Sequence, residues 1–245
     1  VNKLLRSIVT YSYIIGYIPT QLNTLKKLRK RKAELTTAEY DQAVFETPQR
    51  WSQNILKKAG ATAHLTGTEN LQEGPVLFVA NHEGNFDIPV LIATVPKPFG
   101  FLSKVEVKKI PFIADWMDEL NCVFIDRSNR RSALNSISDS VESLKAGHSL
   151  LLFPEGARSK GNEMKEFKTG FVRIAAKAQL PIIPIAIVGT SRLMEQNENK
   201  ITPAEVFVKI LPAVYQQQDE STDTFKERVE RLIQDARSDL QGESR

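Results

Sequence analysis

The sequence predicts an α/β fold: a mostly parallel or mixed central sheet of about six to seven strands flanked by helices. An N-terminal membrane-associating helical segment is expected ahead of it. Three observations predict this. From about Gly60 onward, apolar runs of strand length alternate with stretches of helical periodicity. The 245 residues are 41% hydrophobic and 25% charged, enough to bury a sizeable core. No Gly/Ser/Pro-rich linker divides the chain. The expected division is residues 1–50 for the N-terminal segment and residues 51–245 for the α/β domain.

The N-terminal segment opens with "LLRSIVTYSYIIGYIP", residues 4–19. This run falls short of the ~20 apolar residues that cross a bilayer, and Arg6, Ser7, Thr10 and Ser12 interrupt it. It matches a signal peptide poorly, because no small-residue cleavage site follows and the basic cluster comes after the apolar run. That cluster is Lys26, Lys27, Arg29, Lys30, Arg31 and Lys32, six cations in seven positions. Tyrosines 11, 13 and 17 suit the headgroup level, and the cations suit an anionic leaflet. The competing reading is a helix packed on the domain with a solvated basic end. A nucleic-acid arm fits less well, since apolar residues rather than Gly or Ser flank the cluster.

"VLFVA" (residues 76–80) reads as a strand buried on both faces. "FDIPVLIATV" reads as a helix with Pro89 in its first turn, where a missing N–H costs little. "PFGFLS" is a second strand. "VEVKKIPFIADWMDEL" reads as a helix interrupted at Pro111, and "CVFID" is a third strand. Leu134, Ile137, Val141 and Leu144 make one helical face, closed by Gly147. "SLLLF" is a fourth strand, "TGFVRIAAKAQ" a helix, and "PIIPIAIVG" and "EVFVKILPAV" two further strands. A last helix carries Phe225, Val229, Leu232, Ile233, Ala236 and Leu240 on its apolar face. The single cysteine, Cys122, excludes an intramolecular disulfide and reads as a buried apolar thiol. The net charge of +4 suits anionic partners without choosing among them.

Ligands of open α/β sheets bind at the carboxyl ends of strands, and there the polar residues gather. Asn81 and His82 follow the first strand, Lys104 the second, Asp126 and Arg127 the third, and "PEGARS" the fourth. An imidazole serves as a base when one nitrogen is free and a carboxylate holds the other. Asp87 is the nearest partner for His82 by sequence, with Glu83 as competitor. On one continuous helix, residues five apart diverge by roughly 140°, so the pair requires a turn between strand and helix. No Ser or Cys nucleophile adjoins His82, and "GTSR" (residues 189–192) lacks the Gly-x-Ser-x-Gly elbow. Attack by a substrate hydroxyl, assisted by the base, is the simplest chemistry left. Gly156 permits a tight turn and Arg158 offers a fork for phosphate, while Glu155 would orient Arg158 or accept from a substrate hydroxyl. No zinc-type His-Glu-x-x-His pattern is present.

"NHEGNFD" resembles the Asn-His-x4-Asp motif of the glycerolipid acyltransferases, and "FPEGARS" their Phe-Pro-Glu-Gly-Thr-Arg-Ser motif. "FLSKVEVKKIPFIADWM" followed by "CVFIDR" is similar to the lysine-to-arginine segment of that family, and "LPIIPIAI" to its proline-containing fourth block. These motifs span residues 76–188, and the chain most resembles the members that acylate 1-acylglycerol 3-phosphate. The resemblance implies that His82, oriented by Asp87, deprotonates the 2-hydroxyl of lysophosphatidic acid as it attacks an acyl thioester, giving phosphatidic acid. It places Asn81, Lys104, Arg127, Glu155, Gly156 and Arg158 around the acceptor and its phosphate, and Pro181 and Pro184 on the donor side. Acyl-CoA or acyl carrier protein would supply the acyl group, with no metal or tightly bound cofactor. The implied partners are these and anionic membrane lipids, without nucleic acid, and the implied location is peripheral or monotopic on the cytoplasmic face of a membrane. Ala157 departs from the usual Thr, and Ala114-Asp115 from a common Gly-Trp pair, which leaves open glycerol 3-phosphate or another lysophospholipid as acceptor. A non-catalytic membrane-binding module is the reading from another class.

Overall fold

The computed structural model describes residues 2–126 and 128–243. Seven strands form one sheet: β1 (Ala61–Thr66), β2 (Leu77–Ala80), β3 (Gly100–Lys104), β4 (Val123–Ile125), β5 (Leu150–Leu152), β6 (Ile182–Val188) and β7 (Ala204–Ile210). Their spatial order is β1-β7-β6-β2-β5-β3-β4. Every neighbouring pair is parallel except β6–β7, which is antiparallel. The chain belongs to the mostly parallel α/β class that the alternating pattern predicts.

Helices cover both faces. On one side lie α1 (Lys3–Thr20), α2 (Leu22–Arg31), α3 (Thr37–Ala59), α4 (Asp87–Thr94) and α5 (Ile113–Glu119). Their core includes Phe45, Ile55, Leu91 and Trp116 against Phe78, Leu151, Ile183 and Ile185. On the other side, α6 (Arg130–Lys145), α7 (Gly170–Ala178) and α8 (Thr222–Glu243) pack Leu144, Ile174, Phe225 and Ile233 on Leu77, Leu150, Ile182 and Ala186. Successive side chains of a strand point to opposite faces, so a strand covered on both sides reads as one apolar run. β6 shows this, with all seven residues buried. The apolar face of α6 is half-buried at Ile137 and buried only at Val141 and Leu144. Leu134 is exposed, because β4 ahead of it is a three-residue edge strand.

α3 carries the N-terminal helices. It starts on a capping box between Thr36 and Glu39 and ends at Gly60 in the left-handed conformation, φ 74°. Position 50 lies inside this one continuous helix. α2 buries Leu25 and Leu28 and is tied to α5 by Arg29, which donates to Glu119 at 2.8 Å and pairs with Asp115. Lys32 also approaches Glu119, at 3.5 Å. Two of the six clustered cations are thus paired internally, while Lys26, Lys27, Lys30 and Arg31 stay exposed.

The first turns of α1 are built inside out. Ser7 and Thr10 are buried, whereas Leu4, Leu5, Ile8 and Val9 are exposed, and Ile15 further on is 73% exposed. The Ser7 hydroxyl accepts from the Ile201 N–H at 2.7 Å, and Tyr11 donates to the Asn199 carbonyl. The helix therefore docks through its polar side.

Candidate active site

β2 ends at Ala80 and α4 begins at Asp87, with an irregular turn between them. His82 sits in that turn and Asp87 in the first helical position. Nδ1 of His82 lies 2.6 Å from Oδ2 of Asp87. The same oxygen accepts the backbone N–H groups of Glu83 at 2.7 Å and Gly84 at 3.1 Å. Asp87 is fully buried, and three donors on one oxygen hold it as the acceptor. With Nδ1 donating to Asp87, Nε2 is the ring's acceptor, and no described residue occupies it. The ring stacks on Phe153 with centroids 4.0 Å apart. Its backbone N–H donates to Glu155 at 2.6 Å, and its carbonyl accepts from Ser159 at 2.8 Å. The loop after β5 thereby grips the loop after β2.

Behind Asp87 lies a second buried carboxylate. Oε2 of Glu83 accepts from the N–H groups of Gly189 at 2.6 Å and Thr190 at 2.8 Å, and meets the Thr190 hydroxyl at 3.1 Å. That hydroxyl also contacts Oδ1 of Asp87. Only glycine fits at 189: its φ is 101°, and a Cβ there would stand 2.4 Å from the Glu205 carbonyl oxygen. One hydroxyl carries one proton, so it donates to a single carboxylate. Both contacts become hydrogen bonds when one carboxyl is protonated. Burial, and then the neighbouring Asp87 charge, push Glu83 above the ordinary carboxylate range.

The sequence places Asn81 among the substrate contacts; the structure gives it another task. Asn81 is 1% exposed, and its amide donates to the Ile187 carbonyl at 2.9 Å and accepts from the Ile187 N–H at 2.8 Å. It stitches β2 to β6 beyond their last backbone pair. Glu155 is likewise occupied: one oxygen holds His82 and the other accepts the Lys165 N–H at 2.8 Å, so it braces the histidine instead of orienting Arg158. Arg158 donates to the Asn85 side chain and stands 3.8 Å from Glu195. Gly156 turns the chain at φ 73°. Lys104 is exposed at the end of β3, and no described residue pairs with it. Arg127 lies outside the described residues. Pro181 and Pro184 are buried, just before and within β6. The structure thus brings His82, Asp87, Gly156 and Arg158 to one sheet edge, with Lys104 beyond β5.

Sequence reading misses Thr190, Phe153 and Glu195. Thr190 belongs to the "GTSR" stretch and follows β6, so the strand-exit rule was the signal that could find it. A second pair, His148 and Asp41 at 2.7 Å, lies at the opposite end of the sheet, before β5, and ties α3 there. Beside Phe153 opens a mostly apolar cavity of about 260 Å³, lined by Leu102, Ile125, Ile137, Leu152 and Phe171 among others. Cys122 is half-buried against the core, and burial of its sulfur lifts the thiol to about 12.

Residues 62–188 match the acyltransferase family model. This chain belongs to the acyltransferase family. Among curated acyltransferase relatives, a 1-acyl-sn-glycerol-3-phosphate acyltransferase of Chlamydomonas reinhardtii is 35% identical over 69% of this chain and 54% of its own length. One of Saccharomyces cerevisiae is 30% identical over 63% of this chain and 52% of its own. The chain thus spans about half the length of the curated acyltransferases it matches. The crystal structure of the 1-acyl-sn-glycerophosphate (LPA) acyltransferase PlsC from Thermotoga maritima superposes with a TM-score of 0.81, at 25% identity, over 97% of both chains. The acyltransferase match contains the whole His82–Asp87 turn and the Arg158 loop.

Proposed function

We propose that the chain transfers a fatty acyl group from a thioester to the 2-hydroxyl of 1-acylglycerol 3-phosphate, producing phosphatidic acid for phospholipid synthesis. The observation that carries this is the His82–Asp87 pair at 2.6 Å, with Nε2 open to the cleft. The acceptor hydroxyl gives its proton to Nε2 as its oxygen bonds to the thioester carbonyl carbon. Asp87 stabilises the imidazolium, the tetrahedral intermediate expels the thiolate, and the imidazolium returns the proton to the departing sulfur. Every proton is accounted for without a metal. Lys104, Arg127 and Arg158 supply cations for the acceptor phosphate, and the apolar cavity beside Phe153 suits an acyl chain. The names of the relatives, each a 1-acylglycerol-3-phosphate acyltransferase, support the same acceptor.

Association with one leaflet accompanies this reading. Among the described residues no helix is long and apolar enough to cross a membrane. The inverted face of α1 and the exposed cations of α2 support contact with an anionic surface, on the cytoplasmic side where acyl thioesters are available. The deciding experiment is a donor-by-acceptor matrix on purified protein, with acyl-CoA and acyl carrier protein against lysophosphatidic acid, glycerol 3-phosphate and a zwitterionic lysophospholipid. Turnover of lysophosphatidic acid, lost in His82→Ala, is expected. Turnover of the zwitterionic acceptor alone defeats the phosphate assignment, and inactivity with every donor defeats the enzyme reading.

A further inference from the structure

The exits of β2 and β5 carry His82 and the Arg158 loop, and their flanking neighbours in the sheet are β6 and β3. α1 docks on the segment after β6: Tyr11 reaches Met194 and Asn199, and Ser7 holds Ile201. Its outward apolar residues therefore stand on one flank of the cleft. The other flank is the segment leaving β3, a short 3-10 turn Val105–Lys109 followed by Ile110, Pro111 and Phe112.

That segment breaks the usual pattern of a surface connection. Ile110 is 46% exposed, Phe112 42% and Val105 36%, and none of its residues is buried. Phe112 holds φ 67°, a left-handed conformation rare for a bulky side chain, and it directly precedes α5, whose own aromatic, Trp116, is buried. Lys108 and Lys109 are exposed beside these apolar groups, with Lys108 standing 4.2 Å over the Phe124 ring. Glu106 is the one acid within the turn. On the adjoining helix α5, Asp115 is paired with Arg29, and Asp118 is exposed.

We propose that residues 105–112 form a second lipid contact, in which Ile110 and Phe112 enter an anionic bilayer and Lys108 and Lys109 meet its headgroups. Apolar tips flanked by cations are the composition that partitions into a charged interface. With α1 on the opposite flank, the two contacts straddle the exits of β2 and β5 and seat the cleft against the leaflet. A lipid acceptor then reaches His82 without leaving the bilayer. This deepens the lipid-substrate reading and rests on it, but its first readout is binding, which requires no turnover.

The test uses the full chain and vesicles of phosphatidylglycerol and phosphatidylcholine. Ile110→Asp/Phe112→Asp should lower co-sedimentation with phosphatidylglycerol vesicles by about tenfold, and Lys108→Glu/Lys109→Glu should make the remaining binding less sensitive to salt. Phe112→Trp should be quenched by brominated acyl chains well beyond the quenching of wild-type Trp51 and Trp116. Acylation of acceptor held in vesicles should fall in the Asp variant, while acylation of a short-chain, water-soluble acceptor stays unchanged. Unaltered sedimentation with no added quenching overturns the proposal. So does equal loss on the soluble acceptor, which would place the segment in the chemistry. A raised KM for acyl carrier protein with vesicle binding intact would make the patch a docking site for that acidic protein instead.

Discussion

The hydroxyl of Thr190 touches two buried carboxylates, Glu83 and Asp87, and through Asp87 it reaches the imidazole of His82. Its value lies in aim: it fixes Oδ1 of Asp87 so that Oδ2 faces Nδ1. Thr190→Val removes the hydroxyl at similar volume and should lower kcat by about tenfold or more with little change in acceptor KM, since the histidine loses orientation and not substrate contact. Thr190→Ser should restore most of the rate; if both variants act alike, the hydroxyl has no part in positioning. Glu83 carries a pH consequence. Its carboxyl is raised, by burial first and by Asp87 second, above the ordinary value of 4.5. Between that value and its own, the folded chain keeps a proton that the unfolded chain has released, so stability falls as pH rises through the window. Glu83→Gln has no such proton to lose. Its urea midpoint should gain on the wild type as pH rises above 4.5. Parallel midpoints would place the proton elsewhere.

Among the elements, α2 meets two acids of α5, Asp115 at 3.3 Å and Glu119 at 2.8 Å from Arg29, and Glu119 is the more buried. Burial alone would raise Glu119, yet hydrogen bonds from Tyr40 and Arg29 bring it below the usual carboxylate value. Its two oxygens meet Tyr40 at 2.5 Å and Arg29 at 2.8 Å. Glu119→Gln should loosen α2 without unfolding the sheet, and limited trypsin digestion should then cut faster at Lys26, Lys27 and Lys30. An unchanged rate would mean that the packing of Leu25 and Leu28 and the Arg29–Asp115 pair hold the helix without Glu119. Legibility differed between elements for physical reasons. β2, β5 and β6 are covered on both faces, so their sequences are continuous apolar runs. β1 is an edge strand whose burial alternates along "ATAHLT", and so little apolar surface leaves it without a strong signal. α3 announces itself with Thr36 and Glu39, but Pro48 in its interior argues against a helix by local rules, and packing overrides it.

At the scale of the molecule, α1 decides how the chain meets its surroundings. Deleting residues 1–32 would uncover the core that receives Ile18, Leu25 and Leu28, so the anchor is better tested from outside. Ile8→Asp/Ile15→Asp should keep the thermal transition of the wild type, because both side chains face outward, while sedimentation with anionic vesicles falls severalfold. Equal sedimentation would remove α1 from the membrane. The sequence by itself determined the alternation of strands and helices, the row of polar residues at strand exits and the His82–Asp87 turn. Each depends on periodicity or on residues a few positions apart, which local physics sets. Only the tertiary structure decided that Thr190 would close on Glu83, 107 positions away. It also turned Asn81 and Glu155 inward as braces and α1 outward with its apolar side. These outcomes depend on which strand lies beside which, and β6 meets β2 only after the chain has crossed the sheet several times.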